Sequence, residues 1–390
     1  MAKFIKKAFL LLSLSVLSFI AKANDGAFYS RGNQLIPIVE TDISVQKEVL
    51  KIDRVYKDFY NSYYEVSVYY EFFNPNEAKD LLVGFEAASP SEGGWGNFPN
   101  HPCIFGFKAI MNGTDLPYEV AHVPYPRDED GYVNYRIGDY YKNGRFQDLT
   151  LKQCQSLVPE DDYYDAIQLF YYVYHFNAHF NKGVNIIEHT YRFEGSSYNV
   201  SEYIFDYVLT AANRWANNGI DDFTLIINMG DRESFTVRPT FFKNAGEWTF
   251  NGKGKVFMEE VDYYDFSDDR EVRPLFHVQE GSIVFHKKNF HPDGELCISK
   301  IRCFCKGIDE FKEQYFHLDK ELYGCFNTET EEVKRILKNL PFAYRGNVFK
   351  TKSLQQFFES TKWYIPNPDY QSTMEGMTND EKEWIMHWSK

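Results

Sequence analysis

The chain has 390 residues, of which 18% are aromatic, and its formal net charge at pH 7 is −14. A chain of this length accommodates two or three domains. Its acidic surface repels nucleic acid and anionic lipid, which bind proteins through Lys and Arg, so we expect no nucleic-acid partner.

The first 23 residues have the three parts of a secretory signal peptide. Lys3, Lys6 and Lys7 precede an apolar run, and small residues flank Lys22 at the expected cleavage site. The alternative is a membrane anchor, but about 13 apolar residues fall short of the roughly 20 that span a bilayer. We expect a mature chain that begins at Asn24, has no transmembrane segment and is periplasmic or secreted.

Residues 24–306 show the alternation of apolar and polar residues that is typical of half-buried strands. The strand faces predicted to be buried run from Tyr64 to Phe72, Phe170 to Phe180, Tyr203 to Leu209 and Phe223 to Met229. Turns are predicted at Asn112-Gly113, Asn251-Gly252, Glu280-Gly281 and Asp293-Gly294. The pattern predicts an antiparallel β-sandwich region, either one unit or two subdomains.

Two long loops interrupt this pattern, and binding sites are often found in such loops. The first, residues 89–102, contains Trp95, which is predicted either to stack on a sugar or to fold back onto the sandwich. The second, residues 125–148, is acidic and rich in tyrosine. Acidic clusters near residues 128–130, 161–165 and 262–269 are interpreted as solvated loops, and calcium binding stays open as the alternative.

Behind residue 306 the spacing becomes helical. Ile308, Phe311, Tyr315, Leu318 and Leu322 recur at three and four residues. Thr328 with Glu331 predicts the start of a second helix that Pro341 ends, and Thr378 with Glu381 predicts the start of a last one. Between them, Leu354, Phe357 and Phe358 indicate a short helix. We place a helical domain at residues 307–390, after a β-rich region at 24–306.

All six cysteines lie in the mature chain, and an even number in an exported protein allows disulfides. We expect Cys103 to pair with Cys154. Cys325 is expected to pair with Cys303 or Cys305, because the wider spacing of Cys297 and Cys303 along one strand is beyond the reach of a bond.

Sequence motifs for catalysis and metal binding are absent. His175 and His179 would lie about 13 Å apart on one strand face, too far to share a metal. The chain contains neither a Gly-x-Ser-x-Gly turn nor a glycine-rich phosphate loop. We therefore expect no cofactor and no metal.

The C-terminal residues resemble the YARHG domain, a small module of exported bacterial proteins. Its naming motif corresponds to Phe342–Gly346, and its Trp-Tyr-x-Pro-Asn-Pro stretch corresponds to Trp363–Pro368. The motif here reads FAYRG, so a tyrosine and an arginine stand in place of the usual arginine and histidine, and no role of that histidine carries over. The resemblance implies an extracellular or periplasmic location and association with the envelope, but no reaction.

A second resemblance covers residues 24 to about 230. Asn24–Phe28, Gly32–Pro37 and Tyr70–Pro75 resemble the mature start of a family of exported bacterial proteins to which no function is assigned. This resemblance implies an exported β-rich domain and nothing further.

Three more side chains are binding candidates. Trp363 and Tyr364, beside two prolines, are predicted to pack a small helical core, and the alternative is a ligand platform. Arg345 is predicted to cap a helix, pair with a carboxylate or hold a ligand anion.

Two functions from different classes stay open at this point. The first is a non-catalytic exported envelope protein, a binding or scaffold module for peptidoglycan, another cell-envelope glycan or another exported protein. The alternative is a secreted hydrolase with its site in the loops of the β region. The first is favoured because no nucleophile or metal constellation is found.

Overall fold

A computed structural model describes most of the chain after residue 31. It covers residues 32–33, 35–38, 41–58, 61–89, 98–124, 127–128, 131–132, 137–157, 170–194, 196–198, 201–262, 270–301, 307–326 and 330–390. The signal peptide prediction, Trp95, Cys303, Cys305 and Thr328 lie outside the described residues.

Strands dominate the structure before residue 302. In chain order they are β1 Gly32–Asn33, β2 Ile36–Pro37, β3 Ser44–Asp58, β4 Asn61–Asn74, β5 Lys79–Ala88, β6 Ile104–Met111, β7 Thr114–Leu116, β8 Glu119–Pro124, β9 Arg127–Asp128, β10 Gly131–Tyr132, β11 Tyr141–Lys142, β12 Arg145–Phe146, β13 Phe170–Phe180, β14 Gly183–Phe193, β15 Ser196–Tyr198, β16 Ser201–Val208, β17 Ile220–Asn228, β18 Glu233–Val237, β19 Trp248–Asp262, β20 Arg270–Phe290 and β21 Leu296–Ile301.

Two sheets form the sandwich. The larger has the order β1-β16-β21-β18-β20-β17-β3-β4-β14-β6-β7, with β15 beside β16 and β19 beside β20. The smaller has the order β2-β5-β13-β8, while β9 pairs with β10 and β11 with β12. The pairs are antiparallel except β3 with β17 and β1 with β16, which are parallel. The predicted fold class, mainly β with a helical C-terminal region, is confirmed.

The period of two explains how the sheets pack. Alternate residues of β4 from Tyr64 to Phe72 are buried, and so are alternate residues of β13 from Phe170 to Phe180. These two faces meet in one core with residues of β5, β14 and β17. Because β5 and β13 are covered on their second face as well, Leu82 and Val173 belong to a smaller core with Ile36 and Phe146.

The predicted turns agree with the structure only in part. Asn112 and Gly113 both have positive φ and join β6 to β7, as predicted. The predictions at Asn251-Gly252 and Glu280-Gly281 are wrong, because both pairs lie within the long β19–β20 hairpin, where Gly252 faces Gly281. A Cβ at Gly252 would lie 2.1 Å from the Glu280 carbonyl oxygen, so glycine here allows two backbones to approach closely. Asp293-Gly294 lies in the connection from β20 to β21, which are not paired with each other.

The predicted helix over residues 308–322 is wrong. This segment contains two 3-10 helices, Glu310–Lys312 and Lys320–Phe326, separated by an irregular stretch. Its apolar residues are nevertheless buried, because Phe311, Tyr315 and Leu318 pack into the core of the helical region. Helical spacing therefore identified the buried side but not the backbone conformation.

The described residues contain four α-helices, of which the first lies in the β-rich region: α1 Leu151–Leu157, α2 Glu331–Ala343, α3 Lys352–Glu359 and α4 Asn379–His387. The N-cap of α2 is Thr330, whose hydroxyl accepts from the Val333 N–H, and Pro341 lies inside its last turn. Thr378 and Glu381 form the predicted capping box of α4. Among the described residues, none of the helices is long and apolar enough to cross a membrane.

Candidate functional site

An open groove of about 680 Å³ lies between the helices of the C-terminal region. Helix α2 forms one side, α3 forms the other, and the residues after α4 close one end. The lining residues are Glu331, Glu332, Lys334, Arg335, Ile336, Lys338, Ser353, Leu354, Phe357, Trp388 and Ser389. We call the helical region at residues 307–390 the module, and this groove the module groove.

Helical periodicity brings these side chains together. Glu331, Lys334, Arg335 and Lys338 are three, four and seven residues apart, so they follow one side of α2. Leu354 and Phe357 are three apart on α3. The groove therefore has a charged edge along α2 and an apolar wall on α3.

The floor of the module groove is apolar and aromatic. Ile336 and Leu354 are buried, and the Phe357 ring is half-buried. Trp388 is 8% exposed and packs edge-on against Phe326, with ring centroids 5.7 Å apart. Its Nε1 is buried without a hydrogen-bond partner in the described part of the chain. Such an unsatisfied group costs about 1–3 kcal/mol, so an acceptor supplied by a ligand would be favourable there.

The charged edge includes cations that have no carboxylate partner among the described residues. Lys334 pairs with Glu331 at 2.9 Å, and Arg335 donates from Nη2 to Thr351 Oγ1 at 2.8 Å. Lys338 has neither an ion pair nor a side-chain hydrogen bond to any residue that the structure describes, and Arg335 has no carboxylate partner among them. Glu332 also belongs to the lining, so three cations and two carboxylates leave one positive charge in excess at this edge, on a chain of net charge −14.

Arg345 is paired with a carboxylate, one of its three predicted roles. Its guanidinium binds Glu381 through two bonds of 2.8 Å and also donates to the Pro341 carbonyl. Burial opposes ionisation of Glu381, but the hydrogen bonds from Arg345 and the Thr378 N–H hold the pKa of this carboxyl below its usual value. Ion pairing of Arg345 joins the end of α2 to the start of α4.

Trp363 and Tyr364 are both buried in the core of the helical region. Trp363 Nε1 donates to the Phe311 carbonyl at 2.5 Å, and Tyr364 Oη donates to the Asn347 carbonyl at 2.7 Å. Gly346 has a φ of +82°, and a Cβ there would lie 2.5 Å from the Ile365 carbonyl oxygen. The FAYRG glycine and the Trp-Tyr stretch therefore pack against each other, and neither lines the module groove.

The helical region is anchored to the large sheet by hydrogen bonds. Lys255 Nζ on β19 donates to the Tyr364 carbonyl at 2.6 Å, and Gln279 Nε2 on β20 donates to the Tyr344 carbonyl at 3.3 Å. Lys362 forms an ion pair with Glu259 of β19. The contact fixes the Trp-Tyr segment on the β19–β20 hairpin.

A buried ionic cluster lies beside this contact. Glu233 accepts from Arg54 at 2.9 Å and pairs with Lys300 at 2.7 Å, and His317 approaches it at 3.4 Å. Burial favours the neutral carboxyl, but Lys300, His317 and Arg54 hold the pKa of Glu233 far below its usual range. Glu233, Arg54 and Lys300 are buried and His317 is partly exposed, and together their charges connect β3, β18 and β21 to the segment that contains His317.

A serine and a histidine also meet in this region. Ser234 Oγ lies 2.7 Å from His277 Nδ1, and the Tyr315 N–H donates to the same Oγ at 3.2 Å. Both side chains are fully buried. Burial and the nearby Lys362 and Lys255 lower the pKa of His277 to about 3, which makes it a weak base. The pair is therefore suited to holding Tyr315 against the sheet.

The cysteines that the structure describes are free thiols. Cys103 is half-buried and Cys154 is buried, and burial raises the pKa of each thiol to about 11. Both residues pack into the large core. The Cys103–Cys154 bond is not formed in the structure and stays a prediction, and the predicted partners of Cys325 lie outside the described residues.

Metal ligands do not converge where the structure can be described. No group of three His, Cys, Asp or Glu side chains there could hold an ion. His179 instead contacts Asp80 at 2.8 Å, and His175 packs against Phe146. The loops predicted as calcium alternatives fall mostly outside the described residues.

The sequence prediction of binding residues missed the module groove. Trp363 and Tyr364 are buried in the core of the helical region and Arg345 is paired with Glu381, so none of the three lines the groove, and Trp95 lies outside the described residues. The available signal was the helical spacing of Glu331, Lys334, Arg335 and Lys338, which places them on one side of α2. Nothing local in the sequence places α3 and Trp388 opposite that side.

Comparison with known proteins identifies the C-terminal region. Residues 326–390 match the YARHG domain. A candidate nutrient-binding protein from Legionella pneumophila is similar in structure, with 16% sequence identity and a TM-score of 0.45 over 94% of this chain and 98% of that one. A two-domain M1 zinc metallopeptidase bound to L-tryptophan has 8% identity and a TM-score of 0.25, and the match covers 68% of this chain and 44% of the peptidase. No curated protein matches the sequence.

Proposed function

We propose that the chain is an exported, non-catalytic binding protein of the cell envelope and that the module groove is its ligand site. The observation that carries this is the groove itself, with a half-buried Phe357, an unpartnered Trp388 N–H and a cationic edge. Concave sites with an apolar lining and a few converging polar groups are the usual form of a ligand site.

Export is supported by the order of charged, apolar and small residues at the N-terminus and by the YARHG domain. N-terminal sequencing of the processed protein from a bacterial envelope fraction tests it. We expect the first residue to be Asn24, and a processed protein that begins at Met1 would contradict export by cleavage.

Binding is tested by sedimentation of the mature protein with purified sacculi. We expect the wild type to sediment and Phe357→Ala, which removes the half-buried ring, to sediment about tenfold less well, since a lost ring contact of about 1.4 kcal/mol corresponds to that factor. Phe98→Ala, which removes an exposed ring of the β region that does not line the groove, is the matched control. No sedimentation of wild type would contradict envelope-glycan binding, and equal loss for both variants would contradict the site.

The hydrolase alternative has one specific candidate, the Ser234–His277 contact. A nucleophile has to reach its substrate, and Ser234 is covered by the backbone of Tyr315. We expect a fluorophosphonate probe to leave Ser234 unlabelled in the folded protein. Labelling that Ser234→Ala abolishes would support the hydrolase instead.

A further inference from the structure

The charge distribution of the module groove points to the chemical class of its ligand. From this distribution we propose that the groove binds a glycan strand that carries carboxylates, and this inference rests on the proposed function. The carboxylate would be held by Lys338 and Arg335, and a sugar hydroxyl or carbonyl oxygen would accept from Trp388 Nε1.

The anionic character of the ligand follows from the cations along α2. Lys334 is neutralised by Glu331, but Lys338 and Arg335 have no carboxylate among the described residues. Hydrogen bonds between charged groups are shorter and about twice as strong as neutral ones. An anionic ligand therefore gains binding free energy from these cations that a neutral ligand does not gain.

The sugar character follows from the floor and the walls. Phe357 offers a half-buried ring against which the apolar face of a pyranose can lie, and Trp388 offers an N–H that has no acceptor within the described ranges. An extended peptide would normally add to a free strand edge, whereas the walls of this groove are helices, which offer no strand edge. The side-chain donors and the ring of the lining suit a polyol better than a peptide backbone.

The experiment measures affinity by calorimetry with the full mature chain. One probe is peptide-free glycan strands prepared from sacculi with an amidase, whose muramic acid residues carry a free carboxylate. The other is chitin oligomers of similar length, which lack the carboxylate. We expect the glycan strands to bind the wild type about tenfold more tightly, the effect of one charged hydrogen bond of roughly 1.5 kcal/mol.

Two variants of groove residues and one control variant test where the glycan strands bind. Lys338→Glu should weaken glycan-strand binding by at least about tenfold and change chitin binding little. Trp388→Phe, which keeps a ring and removes the N–H, should weaken both probes. Lys350→Glu makes the same charge change at an exposed position outside the groove and should behave as wild type.

Failure of this inference is distinguishable from failure of the proposed function. If sacculi bind but Lys338→Glu and Lys350→Glu have equal effects on glycan strands, the groove assignment is wrong while envelope binding stands. If intact sacculi bind and peptide-free strands do not, the ligand is the peptide and the glycan inference is wrong. If sacculi do not bind at all, the proposed function itself fails.

Discussion

At the scale of single residues, the YARHG-like segment is stabilised by buried aromatic rings that also form hydrogen bonds. Trp363 fills space between Tyr315 and Tyr344, with ring centroids 5.1 and 4.8 Å away, and donates to a backbone carbonyl. An aromatic side chain of this size buries about 150–250 Å², so one ring supplies a large part of a small core. Two of its partners, Phe311 and Tyr315, precede residue 326, so the core of the module begins before the matched domain.

Replacing Trp363 should therefore destabilise the module. We expect Trp363→Ala to lower the free energy of unfolding by about 3–5 kcal/mol, the usual cost of removing a buried large ring. Met386→Ala, at a side chain that is 56% exposed in the same module, should change it by less than about 0.5 kcal/mol. Denaturant titration of both variants measures the difference, and an unchanged midpoint for Trp363→Ala would support the ligand platform instead.

The Arg345–Glu381 pair should make stability depend on acidity. Because the pKa of Glu381 is lowered in the folded state, the pair stabilises the fold above the ordinary carboxyl pKa of 4.5 and loses this contribution as the pH falls through the folded value. We expect Glu381→Gln to cost about 2 kcal/mol at pH 7 and progressively less below pH 4.5. A difference between wild type and variant that stayed constant with pH would contradict this assignment.

At the scale of elements, the helical region is held on the sheet by groups far apart in sequence. Glu233, the first residue of β18, pairs with Arg54 of β3, Lys300 of β21 and His317 of the irregular stretch between the two 3-10 helices. Removing one partner of a buried ion pair leaves charge without compensation, which is why such changes are costly.

We expect Glu233→Gln to lower the free energy of unfolding by about 3–5 kcal/mol. Glu247→Gln is a suitable comparison, because Glu247 pairs with Lys287 at the surface, where a pair contributes about 1 kcal/mol or less. Urea denaturation of the two variants gives the comparison. Equal, small losses would mean that the cluster does not hold the elements together.

At the scale of the whole molecule, local sequence predicted whether a segment forms a strand or a helix better than it predicted which segments pair with each other. The alternation in β4 and β13 and the capping box of α4 are local, and all three are confirmed. The parallel pairing of β3 with β17 and the meeting of Gly252 with Gly281 depend on contacts between distant parts of the chain. The module groove was missed for the same reason, since its charged edge and its aromatic floor come from helices that only the tertiary fold brings together.

The predicted Cys103–Cys154 pairing belongs to the scale of the whole molecule, because disulfide formation depends on the compartment in which a protein folds. Burial and the nearby Cys154 and Cys103 raise the pKa of Tyr172, so both thiols lie near the same side chain. We expect non-reducing peptide mapping of envelope-derived protein to yield a peptide linking Cys103 and Cys154. Full alkylation of both thiols without reductant would contradict the pairing.

The measurement that tests the central claim most directly follows the indole N–H signals of the mature protein by NMR while peptide-free glycan strands are added. The chain has six tryptophans, so each indole can be assigned by single substitution. If the module groove is the ligand site, the Trp388 signal shifts with ligand concentration, and the signals of Trp215 and Trp248, which lie in the sandwich, stay in place. Binding detected by calorimetry with an unshifted Trp388 signal would contradict the claim.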